Sequence, residues 1–157
     1  MKTAHLAALA LALSFTAARA APAAGGLEVL QPWSRPAVAG TTGAGYMVVA
    51  NHGKAADVLV KVESPAAAGV EIHQMSMEAG VMSMARRDRI AIPAGGTVVF
   101  GPGGYHLMLL NLKRTQTAGD RVPATLSFAS GARLKVAFKV SEGMGPPAAD
   151  PMPGMTH

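Results

Sequence analysis

The sequence predicts an all-β domain of the sandwich or barrel class. Three observations carry that expectation. Short apolar or alternating runs recur along the chain, each closed by a cluster of Gly, Pro, Asn or Asp. Beyond the first twenty residues, no long segment keeps a 3.6-residue apolar period. The run from Ala132 to Val140 alternates strongly, with Leu134, Val136, Phe138 and Val140 on one face and Arg133, Lys135 and Lys139 largely on the other.

Residues 1–20 read as an export signal. Lys2 gives a positive start, residues 6–13 form an apolar run, and Ala18-Arg19-Ala20 is a small-x-small cleavage site. The run is too short for an ordinary transmembrane helix; an uncleaved anchor is the alternative. Cleavage after Ala20 leaves Ala21 to His157, 137 residues, the size of one domain. The expected location is the periplasm, with no membrane insertion after cleavage and no cysteine to carry a lipid anchor. An exported protein there often carries disulfides, and this one has no cysteine at all. Without Lys2 and Arg19, twelve basic residues face nine acidic ones, a mild net charge of +3.

Strands are expected at 27–33, 44–51, 56–63, 70–77, 80–86, 89–92, 97–101, 105–112, 122–129 and 132–140. The first contains Trp33, the only tryptophan, read as a packing residue with Arg35 stacked on it or paired with an acid. The second follows the glycine-rich Thr41–Tyr46 stretch; Met47 belongs to its core face, and His52 falls in an exposed Asn-His-Gly turn. Val70-Glu71-Ile72-His73 alternates, and Glu78-Ala79-Gly80 turns that strand back on itself. Arg86, Arg87 and Arg89 form the one basic cluster, expected to be a solvated turn or a docking patch for an acidic partner. Pro93-Ala94-Gly95-Gly96 and Gly101-Pro102-Gly103-Gly104 are turns, and Ser130-Gly131 is a hairpin turn. From Ser141 the chain is rich in Pro, Gly and Ala without apolar periodicity, so residues 141–157 are expected to be a flexible tail.

The chemistry concentrates between His73 and Met108. His73, ten residues, Met84, twenty-one residues, His106, one residue, Met108 brings two imidazoles and two thioethers from separate segments. His106 and Met108, being two apart, share a strand face; so do His73, Met75 and Met77, and so do Met82 and Met84. Each residue alone reads as core packing. Together they form a donor set suited to Cu(I) rather than zinc, calcium or magnesium. Met75 is a further sulfur donor on the face of His73.

Val70 to Arg114 resembles the periplasmic copper chaperones of the PCu(A)C family, whose pattern is His, an optional nearby Met, ten residues, Met, twenty-one residues, His-x-Met. His73, Met84, His106 and Met108 match it without a gap, and Pro93–Gly96 and Gly103–Met108 resemble it too. More loosely, the resemblance runs from Leu27 to Val140. It implies a cupredoxin-like Greek-key β-barrel or sandwich over residues 21–140. It also implies carriage of Cu(I) towards the copper sites of respiratory oxidases, chiefly the binuclear centre of cytochrome c oxidase. The partner is then an oxidase subunit or a thiol-bearing copper assembly factor, and not nucleic acid. Some members carry a Met- and His-bearing extension as a second site, which here would use Met144, Met152, Met155 and His157 and take Cu(II).

Other function classes fit less well. A blue-copper redox site needs a cysteine thiolate, and none exists. A mature N-terminal histidine site is excluded if Ala21 is the first residue. No Gly-x-Ser-x-Gly elbow or evident acid–base carboxylate pair points to an enzyme. Periplasmic copper buffering, and an interaction module with packing methionines, remain the alternatives.

Overall fold

The structure, a computed structural model, describes residues 26–143. The expected export signal and the expected tail donors Met144, Met152, Met155 and His157 lie outside them. Ten strands follow in order: β1 (Leu27–Ser34), β2 (Gly43–Asn51), β3 (Asp57–Glu63), β4 (Ala67–Glu78), β5 (Val81–Arg87), β6 (Ile90–Ile92), β7 (Thr97–Phe100), β8 (Tyr105–Leu112), β9 (Arg121–Phe128) and β10 (Arg133–Val140). All ten match expected strands. The largest shift is at β4, which starts at Ala67 instead of residue 70. Ala67 and Gly69 have no alternating pattern to betray a strand, yet they pair with Leu112 and Leu110 of β8.

The strands form one mixed sheet in the order β5-β4-β8-β7-β2-β1-β10-β9-β3-β6. Five neighbouring pairs, β4–β8, β7–β2, β1–β10, β9–β3 and β3–β6, are far apart in sequence, which is the crossing pattern of a Greek key. Among the described residues β5 and β6 do not pair with each other, so the sheet stays open and wraps over itself as a sandwich. Met47, Leu107 and Leu109 from one half join Leu59, Leu126 and Phe138 from the other in a single buried cluster. Each such side chain contributes roughly 1.5–3 kcal/mol through burial.

β2 changes partner along its length: Gly43–Gly45 pairs with β8, and Met47–Ala50 with β7. Gly43 permits this crowding, since a Cβ there would lie 3.2 Å from Leu112, whereas one at Gly45 would meet only ordinary contacts. The expected packing residues behave as read. Met47 is buried, and Trp33 is buried and stacked on Tyr46 with centroids 4.5 Å apart. Arg35 sits over the Tyr46 ring and not over Trp33, because Tyr46 lies opposite Trp33 on β2 and covers it.

Asp57 ties the start of β3 to the β9–β10 turn. Burial raises its carboxyl pKa, but hydrogen bonds from the Ser130 hydroxyl, the Val58 N–H and the Ser130 N–H outweigh it and hold the group below its ordinary value. A depressed folded-state pKa contributes stability above the unfolded value, lost as pH falls through the folded one. Asp57→Ala should therefore cost about 1 kcal/mol at neutral pH. Denaturant titrations should show that difference shrinking under strongly acid conditions. A pH-independent difference would mean that Asp57 acts through packing.

Candidate metal centre

Three adjacent strands assemble the site. On β4 and β5, Met75 stands opposite Met84 and His73 opposite Arg86. On β4 and β8, His73 stands opposite His106 and Glu71 opposite Met108. Cross-strand partners share a sheet face. His73, Met75, Met84, His106 and Met108 therefore lie on one face, at the β5 edge of the sheet. Met108 also faces Ala44 of β2, whose small side chain leaves room over it. The β4–β5 register is set by a two-residue turn, Ala79 and Gly80, with φ of 49° and 79°. Two successive positive φ values match the twist of a tight hairpin.

The two imidazoles are held in opposite tautomers. His106 Nδ1 lies 3.2 Å from the Gly104 carbonyl, which only accepts, so Nδ1 carries the proton and Nε2 keeps its lone pair. The same carbonyl accepts the Met75 N–H at 3.1 Å, tying the two donor segments together. His73 Nε2 lies 2.8 Å from the Glu71 carboxylate and donates to it. That leaves the lone pair on His73 Nδ1, which is buried and has no hydrogen-bond partner. The rings are 6.0 Å apart between centroids. Each has one nitrogen committed to the protein and one available to a metal.

The sulfurs sit nearer solvent. Met75, Met84 and Met108 line a depression with His106, Tyr46 and Gly103. Met84 is 54% exposed, while His106 is only 8% exposed. His73 is not part of the depression's wall; it sits on the strand beside His106 with 15% of its side chain exposed. Among the described residues, no three His, Cys, Asp or Glu side chains gather closely enough to hold a metal ion. The donors gathered here are thioethers and imidazoles, a set that favours Cu(I).

Two features escaped the sequence. Glu71 accepts from His73 through one oxygen and from Arg86 Nη1 through the other, at 2.9 Å, and Arg86 also contacts Asp88 at 3.1 Å. A carboxylate behind a ligating histidine fixes its tautomer and raises its basicity. The signal was present as Glu-x-His on an alternating strand, but a lone glutamate there reads as a solvated surface residue. Second, Arg86 is engaged with Glu71, and Arg87 donates to Gln74 Oε1 at 2.9 Å. Arg86 is thus part of the His73 network, and reversing its charge should disturb metal affinity through Glu71. His52 is exposed and pairs with Glu28 at 2.9 Å, just past Asn51 at the opposite end of β2 from the Gly43–Gly45 segment that pairs with β8.

Comparisons with known proteins agree with this architecture. The family model described as "Putative lipoprotein LpqE-like" matches residues 27–140. Protein Lxx21020 of Leifsonia xyli subsp. xyli is 33% identical over 123 residues, covering 78% of this chain and 74% of that protein. The copper-bound PCuAC domain from PmoF2 superposes with a TM-score of 0.65 at 27% identity, covering 77% of this chain and 97% of that domain. The Cu(I) form of DR1885 from Deinococcus radiodurans superposes with a TM-score of 0.54 at 27% identity, covering 82% and 84%. With a family match from the first strand to the last and a fold shared with PCuAC domains, the chain belongs to the LpqE-like family.

Proposed function

We propose that this protein is an exported Cu(I) carrier that holds the ion with His73, Met84, His106 and Met108, with Met75 as an additional sulfur donor. The observation that carries the reading is the buried, unpartnered Nδ1 of His73 beside His106, which takes the opposite tautomer and lines a depression with three thioethers. A buried polar atom without a partner is costly, and a soft metal ion relieves that cost. Two relatives of known structure are described as copper-bound or Cu(I)-bound, which supports the same choice. Export is supported by the lipoprotein description of the family. The protein works as a binding protein and not as an enzyme.

Delivery follows from the ligand chemistry. An ion held partly by exposed Met84 can be approached by an acceptor thiolate before the first donors leave. Thiolates outcompete thioethers for Cu(I), which sets the direction towards cysteine-bearing sites. The acceptor in this reading is the binuclear copper centre of cytochrome c oxidase or a thiol-bearing assembly factor for it. X-ray absorption on the Cu(I) form should show mixed nitrogen and sulfur scattering; a shell without sulfur would sink the assignment. Transfer from loaded protein to a dithiol acceptor should outrun spontaneous dissociation into a strong chelator. Transfer no faster than dissociation would reduce the role to periplasmic copper buffering.

A further inference from the structure

Four of the seven exposed large hydrophobic side chains in the described residues fall in one eight-residue stretch: Met77 at 66%, Val81 at 67%, Met82 at 60% and Met84 at 54% exposure. Apolar exposure concentrated at one place marks a site of interaction. The register explains how it is arranged. Met77 stands opposite Met82, one rung beyond the Met75–Met84 pair. Between these rungs, on the other face, Ser76 and Ser83 hydrogen-bond at 2.9 Å. The hairpin thus separates its polar pair from its thioethers, and four methionines form two successive rungs on the metal-site face.

From this geometry we infer that the β4–β5 hairpin carries a second, outer Cu(I) site made of thioethers alone. Met77 and Met82 supply two sulfurs and Met75 the third, and the site feeds the inner histidine site. Opposed Cβ atoms on antiparallel strands lie roughly 5 Å apart. Successive rungs on one face are separated by about 7 Å. Methionine has three rotatable side-chain bonds, so sulfurs from both rungs can meet on one ion. An all-thioether set takes a soft monovalent ion and rejects harder divalent ones.

Passage inward is ligand exchange without redox change. Bonds from Cu(I) to the Met77 and Met82 sulfurs break, while bonds to His73 Nδ1, His106 Nε2 and the inner sulfurs form. Both nitrogens already carry lone pairs, so no proton is displaced and the ion stays Cu(I). Met75, one rung inward and shared by both sites, keeps its bond to the ion while Met84 and Met108 take it up.

This inference rests on the inner site being the Cu(I) site, and the test separates the two. The full protein is labelled with methyl-13C methionine, its methyl resonances are assigned by single Met→Leu variants, and it is titrated with Ag(I) as a closed-shell stand-in for Cu(I). The Met84 and Met108 methyls should shift up to the first equivalent, and Met77 and Met82 between the first and the second. Met77→Leu with Met82→Leu, both at exposed apolar positions, should abolish the second step, keep the first, and slow Cu(I) loading of the inner site severalfold. Shifts at Met84 and Met108 without any at Met77 and Met82 would overturn the outer site alone. Shifts at none of the four would overturn the inner assignment. An unchanged loading rate in the double variant would overturn the feeding role.

Discussion

His106→Ala should abolish tight Cu(I) binding while leaving the sheet folded. His106 is the donor most fully built into the protein. It is 8% exposed, its Nδ1–H is held by the Gly104 carbonyl, and Nε2 is left for the metal. Losing a partner behind a ligand costs roughly 10–100-fold in metal affinity, so loss of the ligand itself should exceed that range. The structural cost is smaller. One hydrogen bond and a modest cavity amount to about 1–3 kcal/mol. Melting curves of the apo protein therefore separate a lost ligand from a lost fold. His106→Met supplies the control, because it restores a soft donor. It should recover part of the affinity and also flatten its pH dependence, since imidazole competes with protons for the metal and thioether does not. In the unmodified protein, Cu(I) affinity should fall as pH drops below neutrality. Affinity that stayed constant down to about pH 4 would rule out histidine ligation.

How much of this was legible in the sequence differs between fold and site. The strands were readable because alternating runs such as 133–140 are each closed by turn residues. Ala67–Gly69 was missed because its pairing with Leu110 and Leu112 is imposed by β8 and not by any local pattern. The same holds for the partner change of β2, which sets Gly43 and Gly45 opposite Leu109 and Leu107. In the site, spacing two residues apart placed His106 with Met108 and His73 with Met75 on common faces. Spacing does not give register, however. Only the two-residue turn at Ala79 and Gly80 decides that Met84 meets Met75 and that Met82 meets Met77. Nor does spacing show that Glu71 and Arg86 flank His73. That contact arises across strands, between residues 15 apart in sequence.

Glu71→Ala should weaken Cu(I) binding by roughly 10–100-fold, the range for partners that orient a ligating histidine. Glu71 touches no candidate metal position; it acts through His73. Its carboxylate holds the proton on Nε2 and so leaves Nδ1 free and buried. Without it, either nitrogen of His73 can carry the proton, and part of the population presents an N–H where a lone pair is needed. Nitrogen chemical shifts of the apo protein read this directly. The unmodified protein should show His73 as the Nε2–H tautomer, and Glu71→Ala a mixture. Glu71→Gln should fall between. Its amide oxygen can accept from His73, but its NH2 then faces the Arg86 guanidinium, donor against donor. Arg86→Met should weaken binding less than Glu71→Ala, because it only loosens the carboxylate. Combined with Glu71→Ala, it should add almost nothing, as expected of residues acting in series. An exposed arginine paired with a half-buried carboxylate contributes little by itself, so any affinity loss in Arg86→Met runs through Glu71 and His73. If Glu71→Ala kept both the tautomer and the affinity, the network would be surface decoration and His73 would be oriented by its neighbours in the sheet.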